Sequence, residues 1–241
     1  MKHKTFFLLI GLWGTLSLPS WGQMDDFAWG DPAGATHSHG AKVTGNRYFM
    51  NLLTSPNHFY HDTWLEGNIM TVNGEVIAGY NLRYDALHDE LVAFNNRVNG
   101  MFVVDRKMVE GFTVTYPGAG QSAFRRLSIR GNENRDSYYE VVHEGKVLLL
   151  CRIRIIERQT GLYRNKFGKL DNRAFDLQKQ YYLYGKGYDY KVLEAGRKAI
   201  MDLFPDRRRA LRQFFRKYGV HDFSRESNAL WIGLLDQEGF F

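Results

Sequence analysis

From Tyr48 to Lys191 the chain alternates short apolar runs with turn residues, and only after that does the apolar spacing become helical. Asn73-Gly74 sits between Ile69–Val72 and Glu75–Ile77, and Asn99-Gly100 between Leu91–Val98 and Met101–Val104. Asn-Gly accepts the positive φ of a tight hairpin turn, so both pairs predict hairpins. Glu144-Gly145, between Tyr138–Val142 and Lys146–Ile156, predicts a third. Phe112–Tyr116 is β-rich in composition. The short connections require antiparallel pairing, because parallel strands need long crossovers. The expectation is an antiparallel β-meander of about eight or nine strands between residues 60 and 160.

Three stretches interrupt this pattern. Residues 117–136 open with Pro117, Gly118 and Gly120 and read as a long excursion. Residues 158–178 are polar and basic and read as a surface loop. Gln180–Tyr184 and Tyr188–Lys191 flank Gly185-Lys186-Gly187 and predict a last hairpin. Beyond it, Val192, Leu193, Ala199, Ile200, Leu203 and Phe204 share one helical face, and Pro205 ends it. Leu211, Phe214, Phe215 and Tyr218 mark a second helix with Gly219 as its stop, and Ser224 is the N-cap of a third. Strands first and helices afterwards predict an α+β fold, a meander followed by two or three C-terminal helices.

The N-terminus follows a different logic. Lys2 and Lys4 precede an apolar run from Phe6 to Leu18, then Pro19, Ser20, Trp21 and Gly22. That is the pattern of a secretory signal peptide cleaved after Gly22. The expected organisation is a signal peptide at 1–22, a flexible lead-in at 23–46, a β-rich domain at 47–190 and a helical region at 191–241 packed on it. No run after the leader is long enough to span a bilayer as a helix. The mature chain is therefore expected to be soluble and exported, in the periplasm or outside a Gram-negative cell.

Composition narrows the partners. The chain of 241 residues carries a formal net charge of +6 and one cysteine, Cys151. One cysteine excludes an internal disulfide framework, and its apolar run predicts a buried thiol. Residues 23–100 hold 4 basic and 9 acidic side chains, whereas residues 152–218 hold 18 and 7. Such asymmetry points to an acidic partner or to contact between the halves. An exported chain seldom meets nucleic acid, so anionic lipid, anionic glycan or an envelope protein is the expected partner.

The order Trp64–Gly67, Asn73-Gly74, Leu82–Asp85, Asp89–Leu91, Tyr138–Val141, Glu144–Lys146 and Leu203–Asp206 resembles a broad family of uncharacterised exported proteins of Bacteroidota. The likeness covers roughly residues 46–236. It implies an envelope or extracellular setting and carries no catalytic residue. The His/Gly-containing N-terminal segment and the basic stretch at 158–178 depart from it. Glu66–Ile69, Gly79–Asp85 and Glu90–Ala93 together resemble one repeat of the β-jellyroll of lipopolysaccharide transport, which implies a lipid or glycan carrier.

Candidate chemistry is sparse. His37, His39, His58 and His61 lie close in sequence, with Asp25, Asp26, Asp31 and Asp62 nearby. Imidazole and carboxylate suit Zn or Cu, and a metal-assisted hydrolase would need all four histidines to converge. The spacing His58 to His61 is one turn if helical. Asp85, His88, Asp89 and Glu90 read as an exposed acidic turn whose carboxylates stay solvated. Arg208, Arg212 and Arg216 form a stripe on the second helix and are candidates for binding an anionic partner. Tyr181, Tyr182, Tyr184, Tyr188 and Tyr190 must divide between the two faces of the last hairpin. The reading that follows is a non-catalytic binding or scaffolding module.

Overall fold

The computed structural model describes residues 43–48, 58–95, 99–118, 120–129, 136–165, 168, 170–185 and 187–241. Eleven antiparallel strands form one sheet: β1 (Gly45–Arg47), β2 (Leu65–Thr71), β3 (Val76–Asp85), β4 (Glu90–Asn95), β5 (Gly100–Val104), β6 (Val109–Tyr116), β7 (Gly120–Leu127), β8 (Ser137–Glu144), β9 (Leu148–Arg164), β10 (Leu170–Gly185) and β11 (Tyr188–Leu193). Their order is β1-β5-β4-β3-β2-β6-β7-β8-β9-β10-β11. From β6 onward the sheet is a plain meander. Helices α1 (Arg197–Met201), α2 (Arg208–Lys217) and α3 (Arg225–Gln237) follow. This is the α+β meander with C-terminal helices that the patterning predicts.

The hairpin signals act as expected. Gly74 has φ +76 and closes the β2–β3 turn with its N–H on the Thr71 carbonyl at 2.9 Å. Asn99 has φ 45 at the entry to β5. Asn and Gly tolerate this left-handed conformation, which most residues avoid.

Alternation along each strand builds the core. Phe112 of β6 faces Phe124 of β7 in register, and their rings stack at 4.6 Å. Tyr84 and Tyr138 pack their rings against the same pair. The sheet curls far enough to bring the β3–β4 turn against β9, where the Ile155 N–H donates to the Ala86 carbonyl at 2.9 Å. Cys151, Tyr181 and Leu183 continue the buried face toward the helices. A smaller cluster of Ile129, Tyr139, Leu150 and Tyr182 covers the other face. Thus Tyr181 and Tyr182 are both buried, on opposite faces, while Tyr184 stacks on Tyr190 at 4.6 Å and stays 43% exposed.

The helices cap the last strands. Leu211, Phe214 and Phe215 are the buried side of α2. The Ser224 hydroxyl accepts the Ser227 N–H at 3.2 Å and caps α3 as expected. Asp236 on α3 accepts the Lys146 N–H at 2.9 Å and contacts His143 Nε2 at 2.8 Å, pinning the helix to the β8–β9 turn. A Cβ at Gly145 would collide with that carboxylate, so the turn needs glycine there.

Three expectations are corrected. Residues 117–136 are not a bare excursion, because they contain β7. The ladder to β6 satisfies its backbone, and Phe124 supplies one strong apolar anchor. Residues 158–164 and 170–178 are not loop, because they form the outer part of β9 and β10. Val192 and Leu193 belong to β11 rather than to a helix: they pair with Tyr182 and Tyr181, and helix begins only at Arg197.

Candidate functional site

The predicted site residues fall in three places. His37 and His39 lie outside the described residues. His58 and His61 are not on a helix, since Phe59 makes an isolated bridge to Asp85 and the chain then bends. The bridge spends backbone groups that a helical turn would need. The two imidazoles have different partners: His58 Nε2 lies 2.9 Å from the Tyr48 hydroxyl, and His61 Nε2 lies 3.0 Å from the Tyr116 hydroxyl. Burial lowers the His61 pKa, and Lys179 lowers it further. Among the described residues, no group of three or more His, Cys, Asp or Glu is placed to hold a metal ion.

The acidic turn is partly withdrawn from solvent, with Asp85 buried, Asp89 and Glu90 half-buried and His88 exposed, which corrects its reading as solvated. Asp85 is fully buried. Its Oδ1 accepts the N–H groups of Leu87 and His88 at 3.1 and 3.0 Å, while Oδ2 lies 2.9 Å from His88 Nδ1 and 3.9 Å from His58 Nε2. Asp89, in the left-handed region at φ 58, accepts the Tyr84 hydroxyl at 2.7 Å and the Tyr138 N–H at 3.2 Å. Burial raises its pKa against the opposing pull of Tyr84 and Arg106. Both carboxylates are thus saturated with donors because the curled sheet folds the turn inward. They lock the turn in place, and Asp85 holds the His88 imidazole. Cys151 is equally committed: burial pushes its thiol up to about 12, so it stays protonated and inert near neutrality.

The basic residues behave differently. Arg208, Arg212 and Arg216 lie exposed on α2. Arg208 approaches Asp202 at 3.7 Å. Arg212 and Arg216 have no ion pair among the described residues and remain available to an outside anion.

The largest departure is the β9–β10 hairpin. β9 pairs with β8 only as far as Cys151, and β10 meets β11 only from Tyr181 onward. Beyond Ile155 and Leu177 the two strands pair only with each other among the described residues. The result is a two-stranded arm of roughly 30 Å at about 3.3 Å per residue. Arg158 and Asp176 clasp across it at 2.7 Å, and the Tyr163 hydroxyl donates to the Arg173 carbonyl at 2.5 Å. Yet Leu162 is 71%, Leu170 61%, Leu177 52% and Tyr163 40% exposed. Residues 162–170 carry Arg164, Lys166 and Lys169 and no acid. These exposed apolar side chains are spread along a ribbon that pairs with no further strand among the described residues. The alternation of Ile153 and Ile155 with Arg152 and Arg154 was the signal for this strand. It fades after Glu157, which hid the arm.

No family model matches the chain, and neither the curated proteins nor the solved structures contain a match.

Proposed function

We propose that the chain is a non-catalytic binding module of a bacterial envelope that docks on an anionic lipid surface through the β9–β10 arm. The observation that carries this reading is the arm itself, with Leu162, Tyr163 and Leu170 exposed beside Arg164 at the end of a ribbon that pairs with no further strand among the described residues. Apolar side chains that enter the headgroup region, flanked by cations that meet lipid phosphates, are the chemistry of interfacial binding. Each basic residue near an anionic bilayer contributes about 1 kcal/mol. Arg212 and Arg216 on α2 offer a second cationic surface.

Vesicle co-sedimentation of the full chain tests it. The protein should pellet with phosphatidylcholine vesicles containing phosphatidylglycerol and stay in solution with phosphatidylcholine alone. Added salt should weaken binding, and the Leu162→Ser/Leu170→Ser double variant should weaken it about tenfold or more. Equal binding to both vesicles, or an unchanged double variant, overturns the proposal. Failure to bind any vesicle, with crosslinking through the arm to an envelope protein, would replace lipid with a protein partner.

A further inference from the structure

A second site lies away from the arm, where β1 crosses the end of β5. A cavity of about 420 Å³ is lined there by Asn46, Glu90, Val103, Asp105, Arg106 and Tyr138, among others. Small-molecule sites run from about 300 to 1,000 Å³, so it has the size of one.

Its polar groups are unusually idle. Tyr138 is 1% exposed, and its hydroxyl has no hydrogen-bond partner among the described residues. Nearly every buried hydroxyl in a folded protein is paired, so an orphan beside a cavity signals an absent partner. The charges felt by that hydroxyl include Arg106 and Asp105, which line the same cavity. Glu90 makes no hydrogen bond or ion pair among the described residues. Burial raises its pKa, with Asp85 adding to the rise. Arg106 is held in place, with Nη1 donating to the Asp136 carbonyl at 2.8 Å and Nη2 to the Asp89 carbonyl, while its guanidinium sits 5.7 Å from the Tyr138 ring centre. Its Nη1 also lies 3.4 Å from Asp89 Oδ2, and the N–H groups left over can donate to a ligand.

We propose that this cavity binds a neutral polyhydroxylated ligand of one or two sugar rings. Sugar hydroxyls both donate and accept. They match a site that offers an acceptor carboxyl at Glu90, a two-way hydroxyl at Tyr138 and a fixed donor at Arg106. Anions are disfavoured because Glu90 and Asp105 outnumber Arg106 along the lining. Leu91, Val103 and Val104 supply an apolar wall for the C–H face of a ring.

Calorimetry and saturation-transfer NMR on the full chain would decide this, with glucose, N-acetylglucosamine and maltose as probes and inorganic phosphate and glucuronate as anionic controls. At least one neutral sugar should bind, and neither anion should compete. Tyr138→Phe keeps the ring and removes only the hydroxyl. It should weaken sugar binding about fivefold or more while leaving Tm unchanged or slightly raised, because no protein hydrogen bond is lost. Glu90→Gln should weaken binding without abolishing it and stands in if Tyr138→Phe does not fold. No binding by any of the sugars overturns the proposal. So do equal binding of an anion and affinity unchanged in both variants.

Discussion

The inner and outer halves of the β9–β10 hairpin are built from the same two strands and obey different rules. In the inner half, Leu149, Cys151, Ile153, Tyr181 and Leu183 are buried against the curled sheet and the helices. In the outer half the ladder continues, but Leu162, Leu170 and Leu177 face solvent and the side-chain ties across the strands are polar, Arg158 with Asp176 and the Tyr163 hydroxyl with the Arg173 carbonyl. Backbone pairing propagates a strand beyond the point where hydrophobic burial stops supporting it. An isolated two-stranded ribbon is only marginally stable, so the outer half leans on the anchored inner half. The lesson is that stability and recognition divide along one hairpin.

That contrast can be broken most strongly at its anchored end. Ile153→Ala should destabilise the whole chain by about 2–5 kcal/mol in denaturant unfolding, as core truncations do. Leu162→Ala should shift the midpoint by less than about 0.5 kcal/mol, as surface changes do. If both had the same large effect, the arm would be part of the core and the division would fail.

A smaller effect is expected from pH. His61 is held below its ordinary pKa by burial, so the unfolded chain takes up a proton more readily than the folded one. Stability should therefore be level above the unfolded value of about 6.5 and decline as pH falls through it. Thermal unfolding between about pH 8 and 5 should show this decline, reduced in His61→Asn. A decline of the same size in the variant would remove His61 as its source.

The smallest effect belongs to the arm's ion pair. Arg158 and Asp176 are solvent-exposed, and exposed pairs contribute little. Arg158→Ala should leave Tm unchanged within error, and a clear drop in Tm would show that the ribbon depends on that clasp.

Much of the fold was legible in the chain because its signals are local. Asn73-Gly74, Asn99-Gly100 and Glu144-Gly145 punctuate strands, Ser224 caps a helix, and Leu211, Phe214 and Phe215 repeat at helical spacing. The candidate sites were less legible because they depend on contacts distant in sequence. Arg208, Arg212 and Arg216 could be placed on one exposed face from spacing alone. Tyr138 could not be placed beside Arg106, nor His58 beside Tyr48, since no periodic pattern links them.

By itself the sequence determined the antiparallel meander, the order of strands before helices, the basic character of the last third and the buried state of Cys151. These follow from turn chemistry, side-chain period and composition, which act over a few residues. Only the tertiary structure decided that Asp85 is buried and Asp89 half-buried, that residues 158–164 and 170–178 extend as a ribbon, and that a Tyr138 hydroxyl without a partner among the described residues adjoins a cavity. Each depends on how far the sheet curls and where neighbouring strands stop. Those quantities come from the packing of the whole sheet against itself and its helices, and no short stretch of chain encodes them.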